Sequence, residues 1–316
     1  MPRAAWPVAA GLAAGLAADA VLADPRRGHP VAGFGTMAAA LEQRAYRDSR
    51  AAGAAYALAL TAAAAGLGAV VQRALPAPAS RAAATALTTW AVVGGTTLRR
   101  EAATMARLLE ADDLEAARGR VGHLCGRDPA ALDAAGLVRA TVESVAENTS
   151  DAVVGPLLWG AVAGVPGLLA YRAVNTLDAM VGHRSPRYER FGWASARADD
   201  IANLLPSRLA AGLAVACAPL VGGRPSQALR VWRRDGGKHP SPNAGPIEAA
   251  FAGALGRTLG GRLSYAGRVE ERPLLGDGPA PDVQDIVRAA RLSGAVTVGT
   301  GAIAVVLRLL FDRTRP

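Results

Sequence analysis

Three long uncharged runs limit what this chain can fold into. Ala51 to Gln72, Ala82 to Leu98 and Ala152 to Tyr171 contain no Asp, Glu, Lys or Arg. A helix that crosses a bilayer needs about 20 mostly apolar residues, within a working range of about 17–25, so all three qualify on length. Shorter uncharged runs cover Ala4 to Ala18, Leu209 to Gly223 and Leu292 to Leu307. The first reaches span length only by carrying Asp19 and the last only by carrying Arg308, while the middle one is marginal. The chain therefore reads as an all-α, polytopic integral membrane protein, with about four or five spans plus partial ones. It is expected to form a single membrane-embedded domain over residues 1–316.

The N-terminus has a second reading. Arg3, an apolar stretch and Ala18-Asp19-Ala20 have the layout of a secretory signal with a small-residue cleavage site. No polar domain with paired cysteines follows, so the segment is read as a retained first helix. Cys125 and Cys217 are too few for a disulfide framework or a four-ligand zinc site.

The formal net charge of +9 invites a nucleic-acid reading, which the distribution of charge excludes. Lys238 is the only lysine, and the arginines are scattered over every polar segment rather than gathered into a stripe with interleaved aromatics. Basic loops beside apolar segments instead mark cytoplasmic loops of membrane proteins.

Two polar regions lie between the apolar runs, residues 99–151 and 224–291. In the first, Leu108, Leu109, Leu114, Val121 and Leu124 recur at helical spacing, and Pro129 and Gly136 are expected to break it into shorter helices. The second holds the Gly/Pro-rich stretch Gly236 to Pro246, then small residues from Ala249 to Gly261. No strand alternation is evident. Pro76 to Ser80 reads as a turn that makes Ala51 to Leu98 a helical hairpin.

Several polar groups could carry chemistry. Glu143, Glu147 and Asp151 are spaced i, i+4, i+8 and would share one helical face, with Asn148 and Thr149 beside them. Three carboxylates on one face repel one another unless a cation sits among them, and magnesium bridging substrate phosphates suits hard oxygen ligands. A solvated acidic face explains the same spacing. Arg172, Asn175 and Asp178 fall at i, i+3, i+6 beyond the next apolar run, either as functional groups or as a structural interhelical network. Arg184, Arg187, Arg190, Arg197, Asp199, Asp200 and Asn203 extend this cluster. The stretch His239-Pro-Ser-Pro-Asn-Ala-Gly-Pro246 is too rich in proline for a helix or a strand and reads as a rigid loop able to hold a ligand, or as an ordinary turn. Asp24-Pro25 and His29-Pro30 form a smaller loop of this kind. There is no Walker A, no G-x-S-x-G and no His-Glu-x-x-His. Gly33-Phe-Gly-Thr-Met-Ala38 matches a dinucleotide fingerprint, but no strand precedes it. The four histidines are too scattered to mark a metal site.

Taken in order, these motifs resemble the CobD/CbiB family of cobalamin biosynthesis. The resemblance rests on Glu143-Ser-Val-Ala-Glu-Asn-Thr149 with Asp151, Tyr171-Arg-Ala-Val-Asn-Thr-Leu-Asp178 and Arg187-Tyr188 with Phe191-Gly192. It rests equally on Asp199-Asp-Ile-Ala-Asn203 and His239-Pro-Ser-Pro-Asn-Ala-Gly245, and on the early Asp19, Asp24-Pro25 and His29-Pro30. It is collinear from roughly residue 11 to 267. Ala23 departs from an expected glycine, His183 from a common tyrosine and Pro246-Ile247 from a usual Trp-Pro.

The resemblance implies adenosylcobinamide-phosphate synthase, a multi-pass enzyme of the inner membrane with its active site facing the cytosol. It would join adenosylcobyric acid to (R)-1-amino-2-propanol phosphate, or a related amino-alcohol phosphate, using ATP and Mg2+ and no tightly bound cofactor. A corrinoid transporter component and a noncatalytic membrane relative are the rival readings. On the ligase reading, Glu143, Glu147 and Asp151 supply metal ligands, and Arg172, Arg184 and Arg187 clamp phosphates. Asp178 or His239 takes the amine proton, and Arg172 is also counted with the catalytic groups. Asn148, Asn175, Asp199, Asp200, Asn203, Ser241, Asn243 and His29 complete the substrate and ATP contacts.

A topological conflict follows. If Ala152 to Tyr171 spanned the membrane, Glu147 and Arg172 would face opposite compartments. Gly155-Pro156 and Gly164-Val-Pro-Gly167 interrupt this run, and Pro206 and Pro219 interrupt the next. Two re-entrant or half-helix segments are therefore expected.

Overall fold

The computed structural model describes residues 6–25, 28–124, 129–183, 185–265 and 268–313. In chain order the helices are α1 (Trp6–Leu22), α2 (Pro30–Ala45), α3 (Arg50–Ala74), α4 (Pro78–Val92), α5 (Gly95–Glu110), α6 (Leu114–Val121) and α7 (Ala134–Thr149). They continue as α8 (Gly155–Ala163), α9 (Val165–Leu177), α10 (Trp193–Ala202), α11 (Leu204–Cys217), α12 (Pro225–Asp235), α13 (Ala244–Leu255) and α14 (Val283–Arg313). Strands β1 (Leu259–Tyr265) and β2 (Arg268–Leu275) pair antiparallel ahead of α14. This is an all-α membrane protein with one small β-hairpin. The hairpin was not foreseen because its Gly, Glu and Pro residues are poor strand formers.

The chain forms two compact units. One comprises Met1–Gly94, Asp151–Asn203 and Thr300–Pro316, and the other Gly95–Ser150 and Leu204–Gly299. Both long polar regions fall in the second unit, apart from Asp151.

In the first unit α1 lies along α4, because Gly11 and Gly15 let the two backbones approach closely. A Cβ on Gly15 would sit 2.5 Å from the Ala86 carbonyl oxygen and from Thr89 Cβ, and Gly11 meets Thr85 in the same way. Glycines four residues apart are a common membrane-helix contact, since no hydrophobic force distinguishes helix from lipid. The pair closes a core of Val8, Leu12, Val92, Val153, Leu157 and Leu168. α3 packs instead on α9, so α3 and α4 are not the mutually packed hairpin expected from the Pro76 to Ser80 turn.

Three helical segments among the described residues are long and apolar enough to cross a membrane: Arg50–Ala74, Leu204–Val221 and Val283–Phe311. The other runs behave differently. Ala82 to Leu98 breaks at Val93–Gly94 between α4 and α5. Ala152 to Tyr171 folds into the α8–α9 pair, hinged at Gly164 with φ +69° and ψ −144°, a conformation in which a side chain is strained. At about 1.5 Å per residue α8 is about 14 Å long and α9 about 20 Å, too short for a hydrocarbon core of about 30 Å. The expected second break does not form. α11 runs into a tighter turn at Ala218–Val221, with Pro206 in its first helical turn, where a missing N–H costs nothing, and Pro219 at the start of that tighter turn.

In the second unit Gly136 does not break the chain. It lies in the first turn of α7, and its N–H donates to the capping carboxylate of Asp133 at 2.7 Å. Ala244 to Pro246, expected as loop, form the first turn of α13. Fully buried Asp235 is the anchor of this unit. It accepts from Arg234 Nε at 2.8 Å, Lys238 Nζ at 2.7 Å and the Gly276 N–H at 3.0 Å. The Arg234 guanidinium, helped by Lys238 and the Gly276 amide, holds the Asp235 carboxyl well below the usual carboxylate range.

Candidate functional site

In the first unit, three separate segments bring their polar groups together where the α8–α9 pair begins and ends. Asp151 sits just before α8, in a widened π-type turn over Ser150–Val154. Asn175 is on the last turn of α9, and Asp199 and Asn203 are on and just after α10. Asn175 Nδ2 donates to Asp151 Oδ2 at 3.4 Å and to Asp199 Oδ1 at 3.3 Å. Asn203 Nδ2 donates to the other oxygen of Asp199 at 3.0 Å. The Tyr171 hydroxyl donates to Asn203 Oδ1 at 2.7 Å and lies 3.2 Å from the Asp151 carbonyl oxygen. Both ends of the apolar run are thus joined, as a hairpin requires.

The Arg172 guanidinium lies 3.5 Å from Asn175 Oδ1, and Asp24 and Asp151 are the carboxylates that bear on its charge. Its buried Nε finds no hydrogen-bond partner among the described residues. Burial pushes the Asp199 carboxyl above the ordinary range, against the pull of the Asn203 and Asn175 amides. An acid whose charge is poorly compensated in this way favours a cation nearby.

The remaining expected residues of this unit lie around the network. His29 caps α2 by accepting the Val31 N–H at 3.2 Å, and its Nε2 is 3.7 Å from Asp24. Asp178 starts the π-type turn Asp178–Gly182 and packs over the Gly182 backbone. Asp200 pairs with Arg197 at 3.2 Å. Arg187 stacks 4.0 Å over the Tyr46 ring and donates to buried Glu42 at 2.7 Å, so one edge of its guanidinium is already engaged. Arg184 lies outside the described residues.

In the second unit, the His239–Asn243 loop gathers three of the expected residues. Ser241 Oγ accepts N–H bonds from Asn243 at 3.3 Å and Ala244 at 3.2 Å, which caps α13. Asn243 Oδ1 accepts from Arg208 at 3.0 Å and Ser207 at 3.3 Å. His239 Nε2 is 2.6 Å from an Arg272 nitrogen and 4.0 Å from Glu248, with the imidazole only 6% exposed. Asn148 Nδ2 donates to Ser144 on its own helix at 2.9 Å.

The three acids of the triad sit in different surroundings. Glu143 is buried, and its Oε1 accepts the Gly260 N–H at 2.7 Å, while Glu147 on the same helix is exposed. The regular i, i+4 spacing ends at Ser150, where the helix widens. Among the described residues no group of three or more His, Cys, Asp or Glu side chains is placed to hold a metal ion.

Reading the sequence did not single out Glu42, Arg208, Glu248 or Arg272. Glu42 meets Arg187 across 145 positions of sequence, a pairing no local pattern could indicate. Tyr171 was marked only as part of a motif.

A family model described as CobD/Cbib protein matches residues 12–293. The chain belongs to the CobD/CbiB family. Its CobD/CbiB relatives include proteins named "Cobalamin biosynthesis protein CobD" from three bacteria. The Mycobacterium tuberculosis protein is 56% identical over 98% of this chain and 97% of its own length. The Rhodobacter capsulatus protein is 43% identical over 89% and 90%, and the Chromobacterium violaceum protein 42% identical over 87% and 88%. No solved structure matches this CobD/CbiB chain.

Proposed function

We propose that this protein is an ATP-dependent amide ligase of cobalamin biosynthesis, joining adenosylcobyric acid to (R)-1-amino-2-propanol phosphate or a related amino-alcohol phosphate. Membership of the CobD/CbiB family and the names of its relatives support the pathway. The observation that carries the reaction class is the Asp151–Asn175–Asp199–Asn203 network, a polar centre built from distant segments beside a half-buried arginine, Arg172.

A carboxylate does not react with an amine until it is activated, here as an acyl phosphate or an equivalent species. Magnesium would offset phosphate charge in that step. It is commonly held by one or two carboxylates plus substrate phosphates. Asp151 and Asp199, both hard oxygen donors joined through Asn175, fit that pattern better than the original triad. Arg172 would steady the transferred group as a charge-assisted donor. The amine must lose a proton before its lone pair attacks the activated carbon and the phosphate leaves. Of the two groups considered for that proton, His239 is buried against Arg272, which leaves Asp178, half-buried at the end of α9. His239, Ser241 and Asn243 then serve a rigid substrate-binding loop. Cytosolic ATP and corrinoid require the network to open toward the cytosol.

The test is purified protein in detergent or nanodiscs with adenosylcobyric acid, the amino-alcohol phosphate, ATP and magnesium. An amide product formed together with ATP consumption is expected. No product and no ATP turnover would overturn the proposal. Asp199→Asn, which keeps shape and removes charge, should require more magnesium and lose turnover; an unchanged magnesium dependence would remove Asp199 from the metal site.

A further inference from the structure

We infer that Gln72 is a positioning residue, which acts on the Asp151–Asn175–Asp199 network from the opposite end of the α8–α9 hairpin. Gln72 is a polar side chain near the end of α3, the 25-residue apolar helix. Polar groups on membrane-length helices are costly and are retained for a reason. Its Oε1 accepts the N–H of Val165 at 3.2 Å. That N–H is one of the donors a helix start leaves without an intrahelical partner. Val165 is buried, at 1% exposure, so in the folded protein its N–H has Gln72 rather than water as its partner. The neighbouring tip residue makes room for the contact: a Cβ on Gly164 would collide with Gln72 Oε1.

One turn earlier on α3, Gly68 brings the backbone against the same tip. A Cβ there would lie 2.7 Å from Pro166 N and Cα. Gly68 and Gln72 are four residues apart and so share one face of α3. The hairpin is held at its tip by these two positions, and its other end carries Tyr171, Arg172 and Asn175. Any slide or tilt of α9 along α3 would be transmitted through a stiff helix to the spacing of Asn175 from Asp151 and Asp199.

The inference rests on the ligase reading only for its kinetic measurement. Gln72→Met keeps the length of the side chain and removes the acceptor, Gln72→Asn is one methylene too short to reach, and Gln72→Glu keeps an oxygen in place. In Gln72→Met, hydrogen exchange across residues 164–168 should speed up about tenfold or more, as expected when a buried donor loses its partner. Turnover should fall about ten- to hundredfold, as for a displaced catalytic group, with KM for ATP within about twofold of the wild-type value. Gln72→Glu should recover most of both. If Gln72→Met does not assemble, Gln72→Asn must show the same pattern. Wild-type exchange and turnover in Gln72→Met or Gln72→Asn would overturn the inference, as would equal losses in Gln72→Met and Gln72→Glu. If wild-type protein makes no amide, the ligase proposal fails and the exchange measurement alone decides the role of Gln72.

Discussion

Ala23 holds a backbone conformation that its side chain disfavours. It is buried, has φ +56°, and its carbonyl accepts the Trp90 indole N–H at 2.9 Å. The left-handed region costs an L-residue about 1–2 kcal/mol, part of which glycine returns as unfolded-state entropy. Ala23→Gly should therefore raise stability by about 0.5–1 kcal/mol, measured as a higher midpoint of thermal unfolding in detergent; a lower midpoint would contradict the strain. The departure from an expected glycine could be noticed in the sequence, but its cost depends on φ. Asp235 gives a dependence on pH. Its folded-state pKa is depressed, so its contribution is complete above the unfolded value of about 3.9 and is lost as pH falls through the folded one. Asp235→Asn should cost about 1.5–3 kcal/mol near neutral pH, and the difference from wild type should shrink toward acid. A difference that stayed constant from pH 7 to pH 3 would show that charge is not its source.

At the level of elements, the apolar runs identified where helices occur but not what those helices pack against. Charge-free composition is the same for a span, a half-helix and a buried helix, so Ala51 to Gln72 and Ala152 to Tyr171 looked equivalent. Proline and glycine separated them in the second case, because Gly164 and Pro166 interrupt the helix locally. The same signals misled at Pro206, Pro219 and Gly136, where they sit in helical first turns or a terminal tight turn. The α1–α4 contact was present in the sequence as Gly11 and Gly15, four residues apart. Gly15→Val should separate the helices at a cost of about 1–3 kcal/mol or more, seen as a lowered unfolding midpoint. The same substitution at exposed Gly66 on α3, which has open space around it, should cost far less. Equal costs would remove close packing as the explanation.

Over the whole molecule, the site was legible as motifs and not as geometry. Asp151 and Asn175 were named from helical spacing, Asp199 and Asn203 as part of a polar cluster between apolar segments, and the four do meet. In the acidic triad, Glu143 accepts a strand amide 117 positions away, a contact that no helical period reveals. The hairpin fixes the topology to be tested. Single cysteines at Ala152 and Ala179, in a background lacking Cys125 and Cys217, should both react with an impermeant thiol reagent from the cytosolic side. Labelling from opposite sides would require α8–α9 to cross the membrane. The Asp235 anchor has a practical consequence. Apart from the α-amino group, Lys238 is the only primary amine in the chain, and its Nζ lies against Asp235 at 2.7 Å. Besides the α-amino group, an amine-directed fluorophore or affinity tag would attach at a single side chain, next to His239, without engineering. Its rate of attachment would report how often that contact opens, which makes an ordinary labelling reagent a clock for the motion of the chain leading into the His239–Asn243 loop.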